Sequence, residues 1–236
     1  MSPHSPQDRA TETREPSVFA NVSPQDADSG RAPERLVQLT ACFLRFGSDG
    51  IENIRQLTAL AGQLLGGAYA VYFRMEGDRL YALAQWQVPP GFPWSIEAEG
   101  RVGTEEILNG CQELHVVRHL PATSYATTDP HVSLYHLKTA VSQAVKCGEA
   151  CVGSLCVMFR EDMLPNDEDR ALFAILASAI RIEEQRRAAE QILAREQALV
   201  AQLNQITMDR EDRVIELKRE VNQLREQLGL EKPYRV

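Results

Sequence analysis

Apolar residues recur every three or four positions from Leu36 to Leu65, alternate through 68–86 and 140–159, and return to a three-four rhythm from Leu172 to Leu228. A period near 3.6 predicts helix and a period of two predicts half-buried strand. Leu36, Leu39, Phe43 and Phe46 share a helical face that Gly47 ends. Ser48 or Asp49 stands where a second helix needs its cap, Ile51, Ile54, Leu57, Ala61 and Leu65 face inward, and Gly66-Gly67 stop it. The runs AYAVYFRM and RLYALAQW on either side of Glu76-Gly77-Asp78 predict a hairpin. Pro89, Pro90, Gly91 and Pro93 enforce a loop, and residues 94–135 are weakly patterned, with one helix expected near 104–109 and one strand in ELHVV. AVSQAVK and ACVGSLCVMF form a second strand pair around Gly148-Glu149.

The last third is a single predicted helix. Pro165, Asn166 and the acidic run Asp167-Glu168-Asp169 are a start signal, with Asn166 as cap and carboxylates at the positive end of the helix dipole. Neither proline nor glycine follows until Gly229. Steps of three and four from Leu172 visit Ile175, Ala179, Ile182, Arg186, Ala189, Leu193, Glu196, Val200, Leu203, Thr207, Arg210, Val214, Leu217, Val221, Leu224 and Leu228. Thirteen of these seventeen positions are apolar and the frame never slips, which predicts a coiled coil and, with it, a homodimer. At 1.5 Å per residue such a helix is roughly 90 Å long, more than one small domain covers.

Composition narrows the class. With 44% hydrophobic and 25% charged residues the chain reads as soluble, and no apolar run approaches the ~20 residues that span a bilayer, so no membrane contact is expected. The first residues, MSPHSPQDRATETREP, lack the pattern of a secretory signal, which places the expected location in the cytoplasm. A net charge of -8 argues against nucleic acid as a partner. Residues 1–33 hold five of the twelve prolines among Ser, Thr, Asp and Gln and are expected to be a disordered tail.

The wording of the middle of the chain adds to its pattern. FLRFGSDGIENIRQLTALAGQLLGGAYAVYFRM, LAQWQVPPGF, TDPHVSLYHLKTAVSQAVKCGEACVGSLCVMF and EDRALFAILASAIRIEEQRR resemble GAF domains of bacterial sensor kinases and related signalling proteins. The segment after 187 is similar to the helical linkers that follow such domains. The resemblance implies an α+β fold: a six-stranded antiparallel sheet with helices on its faces and a ligand pocket beneath the variable loops, followed by a long coiled-coil helix. The expected division is a tail over 1–33, a sensor domain over 34–187, a coiled-coil signalling helix over 188–229 and a C-terminal tail over 230–236. No kinase glycine boxes, cyclase motif, receiver domain or helix-turn-helix follows the helix, so the reading is a non-enzymatic, two-component-type sensor module. Its expected partners are a small-molecule ligand, a second copy and a histidine kinase or other signalling protein.

Candidate chemistry lies in three residue types. Tyr72, Trp86, Tyr125, His131 and Tyr135 are the residues expected to line the pocket. Some haem-binding members of the resembled family place an axial histidine near His131, and the cofactor is left unknown. His115 and His119 lie about 13 Å apart on an extended segment, too far to share a metal, so no metal site is expected. Cys147, Cys151 and Cys156 are expected to be structural, since free cysteine packs as a small hydrophobe. The alternatives are a redox sensor or reductase acting through Cys147, Cys151 or Cys156, with Cys147 and Cys151 able to meet across the hairpin, and a metal or iron–sulfur set completed by Cys42 or Cys111. A third alternative is the GAF-fold free methionine-(R)-sulfoxide reductase, to whose catalytic stretch Cys111 does not align. A scaffold that binds no ligand is the remaining reading.

Overall fold

The computed structural model describes residues 31–104, 113–231 and 233–235. By compactness the chain divides between Ala41 and Cys42. Helix α1 (Arg31–Phe43) crosses that point, beginning within the expected tail, and its Leu36 and Val37 are exposed. The remainder of that tail lies outside the described residues. The helix ends four residues before Gly47, because Arg45 N–H bonds back to the Cys42 carbonyl and tightens the last turn (3.0 Å). Asn53 then holds the connection, accepting from Gly47 N–H (3.0 Å) and donating to the Gly47 carbonyl (3.1 Å).

Helix α2 (Gly50–Leu65) has the ends its sequence predicts. Asp49 accepts from the Ile51 and Glu52 amides, and Gly66 closes the helix in the left-handed region at φ 67°. Strands β1 (Tyr69–Glu76) and β2 (Arg79–Trp86) follow, joined by a tight turn in which Gly77 has φ 65°. The weak region supplies β3 (Ser95–Glu97) and β4 (His115–Val117), a 3-10 turn at Leu120–Ala122, and two short helices, α3 (Tyr125–Thr128) and α4 (Pro130–Leu134). The helix expected near 104–109 falls almost wholly on residues outside the described ones. Strands β5 (Thr139–Cys147) and β6 (Ala150–Phe159) complete an antiparallel sheet of order β3-β2-β1-β6-β5-β4.

Helix α5 (Asp167–Gln227) runs for 61 residues. Its start is a reciprocal capping box: Asn166 accepts from the Asp169 amide (2.8 Å) while Asp169 accepts from the Asn166 amide (3.2 Å). At the far end the chain turns back on the helix. Asn222 exchanges two hydrogen bonds with the Tyr234 backbone (2.7 and 3.2 Å), and Arg225 donates to the Glu231 carbonyl (2.8 Å).

Alternation along the strands gives the sheet two different faces. The face covered by α2 and the start of α5 carries Ala70, Tyr72, Val141, Leu155 and Val157, all buried. Phe173, Leu176 and Ile180 bury the facing stripe of α5. Where α5 leaves the sheet, Glu184 is almost wholly buried and stays ionically paired. Tyr72 O–H donates to it (3.3 Å), Arg74 stands 3.7 Å away, and Arg187, one turn on, stands 3.5 Å away. Gly153 makes room for this arrangement, because a Cβ there would meet the Tyr72 hydroxyl at 2.7 Å.

Removing one partner of a buried ion pair typically costs ~3–5 kcal/mol, because the other charges stay desolvated. Glu184→Ala is expected to lose stability on that scale in urea denaturation. Tyr72→Phe, which removes one hydrogen bond, is expected to lose about 1 kcal/mol. A Glu184→Ala midpoint no lower than that of Tyr72→Phe would show that the carboxylate does not anchor the helix.

Candidate functional site

The opposite face of the sheet lies under the loops. Tyr69, Val71 and Phe73 of β1, Ser154, Cys156 and Met158 of β6, and Ala140 and Ser142 of β5 share it through the observed register. Its organising residue is Asp129, of which only 4% is exposed. Asp129 caps α4 by accepting from His131 N–H (3.0 Å), accepts from Val102 N–H (3.1 Å), and receives the Arg101 guanidinium (3.2 Å). One carboxylate thereby ties the segment after β3 to the helix that carries His131. Pro130 at the first helical position fits the same start, since its missing amide costs nothing there.

Aromatic rings form a wall beside this hub. His131, Phe92 and Tyr135 form a triangle of stacked rings, with centroids 5.1 Å apart for His131–Phe92, 5.3 Å for His131–Tyr135 and 6.5 Å for Phe92–Tyr135, and Tyr69 meets Phe92 (5.7 Å) and Tyr135 (6.2 Å) edge-on. Phe73 adds a further contact to Phe92 at 6.3 Å. Burial pushes the His131 imidazole below its ordinary value, opposed by the Asp129 charge and helped by Arg101. Burial likewise pushes the Tyr69 phenol upward, so its hydroxyl stays protonated.

The floor next to this wall is small and polar. Ser142 and Ser154 are buried, and Ser154 Oγ lies 3.4 Å from Cys156 Sγ. Gly103, at φ 80°, passes so close that a Cβ would stand 2.5 Å from Cys156 Sγ. Thr104 fixes that passage by donating to the Ala98 and Arg101 carbonyls (2.6 and 2.7 Å). The loop face thus gathers an aromatic cluster, two buried hydroxyl groups and a buried carboxylate.

Comparison with solved structures adds the family of folds. The chain is similar to the phycoerythrobilin-bound GAF domain of a cyanobacterial phytochrome, at 12% identity and TM-score 0.55, over 69% of this chain and 99% of that one. It is similar to the A. aeolicus nlh2 GAF domain in an inactive state, at 8% identity and TM-score 0.52, over 67% and 98%. The fold is the GAF fold. A third similar structure is the free methionine-R-sulfoxide reductase from Neisseria meningitidis in complex with its substrate, at 15% identity and TM-score 0.52, over 71% and 96%. No family model and no curated protein matches the sequence. No helix among the described residues is long and apolar enough to cross a membrane.

The GAF sheet separates the residues that the sequence grouped. Tyr125, His131 and Tyr135 lie on the loop side, with Tyr125 and Tyr135 packed into its apolar cluster. Tyr72 and Trp86 do not join them. Tyr72 is even-numbered on a strand whose odd residues face the loops, and it bonds Glu184 on the helix side. Trp86 covers Gly62 of α2, where a Cβ would meet its ring at 2.1 Å. Phe92, Tyr69, Asp129 and Arg101 were missed. The Asp-Pro pair at 129–130 is the one legible signal among them, because it is a helix-start pattern.

The cysteines divide as well. Cys147 pairs in register with Ala150, and Cys151 with Lys146. Neighbouring pairs on a ladder point to opposite faces, so Cys147 and Cys151 do not meet across the turn. Burial raises the Cys147 thiol, and the Glu184 charge raises it further, which disfavours the reactive thiolate. Cys42 is raised by burial too, and Cys111 lies outside the described residues. His115 sits on β4 opposite Ser142, while His119 is exposed beside Asp162 (3.8 Å). No group of ligands for a metal stands together among the described residues.

Two expectations follow from this geometry. A histidine whose folded pKa is depressed favours its neutral form in the fold. Its contribution is complete above the unfolded value near 6.5 and is lost as pH falls below that value toward the folded one. Wild-type stability is therefore expected to fall between about pH 7 and 5 in urea titrations, and His131→Phe to flatten that slope. An unaltered slope would remove His131 as its source. Gly103→Ala, which adds left-handed strain to a clash with Cys156, is expected to cost ~2–4 kcal/mol, and a loss under ~1 would show that the segment yields.

Proposed function

We propose that this chain is a signalling sensor: a GAF domain that binds a small ligand on its loop face and reports occupancy through a dimeric coiled coil. One observation carries the reading. The first part of α5 is packed on the sheet, yet the same heptad frame continues past Arg187 with its apolar positions in solvent. Leu193 is 54% exposed, Leu203 54%, Leu217 44% and Leu224 59%. An apolar stripe of that length has no folding role in an isolated chain, whereas a facing helix buries it.

Strand β1 links the two ends of this scheme. Phe73 contributes to the aromatic wall, while its neighbours Tyr72 and Arg74 hold Glu184 at the point where the helix departs. A ligand that repositions the wall changes the seat of the helix through one strand. The onward partner is a histidine kinase or a similar signalling protein that reads the coiled coil.

Truncating a buried leucine typically costs ~2–5 kcal/mol, and a buried unpaired charge adds to that. Leu217→Glu with Leu224→Glu is therefore expected to give a monomer whose GAF domain melts as before. Sedimentation equilibrium beside thermal melting of the same variant checks it. A double variant that still dimerises would mean that the seam is not the interface. One that fails to fold would mean that the distal helix belongs to the core.

A further inference from the structure

The connection from β2 to β3 is held differently from the rest of the loop region. Pro89, Pro90 and Pro93 fix their own φ and offer no amide, so the segment is stiff and poor in donors. Among the described residues, 88–93 make no hydrogen bond to the rest of the fold. Their one bond is internal, from Phe92 N–H to the Pro89 carbonyl (3.2 Å). Both ends are moored: Trp86 covers Gly62 of α2, and the Trp94 carbonyl accepts from Ala82 N–H (2.8 Å). At Gln87 the backbone enters the left-handed region (φ 50°), which a residue with a side chain rarely adopts, and Gly91 enters it again at φ 79°.

What holds the middle of this segment is apolar contact. Val88 and Phe92 pack against the buried cluster of the loop face and stay partly exposed themselves. The Phe92 ring lies against four others: His131 (5.1 Å), Tyr69 (5.7 Å), Phe73 (6.3 Å) and Tyr135 (6.5 Å). Those four stand on β1 or on α4 and its C-terminal cap. Phe92 alone of the five is delivered by a segment without hydrogen bonds to the fold. It can leave at the expense of its ring contacts, with no sheet or helix bond broken.

We propose that Phe92 is the chain's own stand-in for a planar aromatic ligand of one or two rings, and that residues 87–93 are a strap that lifts to let that ligand take its place. The vacated slot is walled by Tyr69, Phe73, His131 and Tyr135, and a flat ring restores the contacts that Phe92 gives up, which an aliphatic chain or a sugar does not. Lifting also frees Gln87 from its left-handed conformation. This rests on the small-ligand reading above and adds to it a ligand class and an entry step. Affinity in the intact chain is then the slot's intrinsic affinity reduced by the fraction of molecules whose strap is open.

The test uses the full chain, with indole as the probe. In wild type, the Val88, Gly91 and Phe92 amides are expected to exchange hydrogen at least ~10-fold faster than those of β1, and faster again with indole, while β1 stays protected. Phe92→Ala is expected to keep β1 protected and to bind indole at least ~10-fold more tightly than wild type in calorimetry, because no ring competes for the slot. Loss of β1 protection in Phe92→Ala would make the ring part of the core and overturn the proposal. A folded Phe92→Ala with no gain in affinity overturns it too, as does a wild-type strap whose exchange indole leaves unchanged or slows. Each of these leaves the sensor reading in place, since that stands on the exposed helical seam. If indole releases the strap yet exchange along α5 and the dimer equilibrium do not change, the slot stands and the relay falls.

Discussion

The join between sheet and long helix is made by a carboxylate taken out of water. Glu184 survives burial because Tyr72 and Arg74 approach from β1 and Arg187 approaches from the next turn of its own helix. Desolvated ion pairs of this kind add little net stability, but they tolerate few alternative geometries. That intolerance has a structural use here. It marks the residue at which α5 stops being a packed element and becomes a projecting one. It also reaches back through β1: Gly153 on β6 must lack a side chain for the Tyr72 hydroxyl to arrive.

The same strand makes the loop face. Because successive side chains of β1 point to opposite sides, Tyr69 and Phe73 enter the aromatic wall while Tyr72 and Arg74 attend the helix. The wall itself depends on Asp129. Its two oxygens take up an amide from the β3 side, an amide from α4 and a guanidinium, so the short elements of the loop region share one fixed point. A GAF sheet with a helical face and a loop face therefore has one buried carboxylate organising each.

Much of this fold was legible because regular periods carry it. The helix ends at Asp49 and Gly66, the two hairpins and the Asn166 capping box all follow from local chemistry that tertiary contacts did not override. The loop region was not, since β3, α3 and α4 are three to five residues long and too short to show a period. The site suffered for the same reason. Tyr72 and Trp86 were grouped with Tyr125, His131 and Tyr135 by residue type, whereas strand parity and the small residue at Gly62 decide which face an aromatic ring occupies. Asp129 carries the loop face through contacts to residues 27 and 28 positions earlier, a separation no window of sequence reveals.

The single unbroken helix from Asp167 to Gln227 also sets a mechanical ratio. From the Glu184 anchor to its end lies a rod of about 65 Å, at 1.5 Å per residue. Tilting the anchored end by about 5° would sweep the free end sideways by ~6 Å, roughly one helical turn in height. A rearrangement at the sheet smaller than the width of a methyl group would thus arrive at the distal end as a displacement large enough to exchange one set of side-chain neighbours for another. In purely geometric terms the helix is a lever arm whose short end is seated at a buried charge.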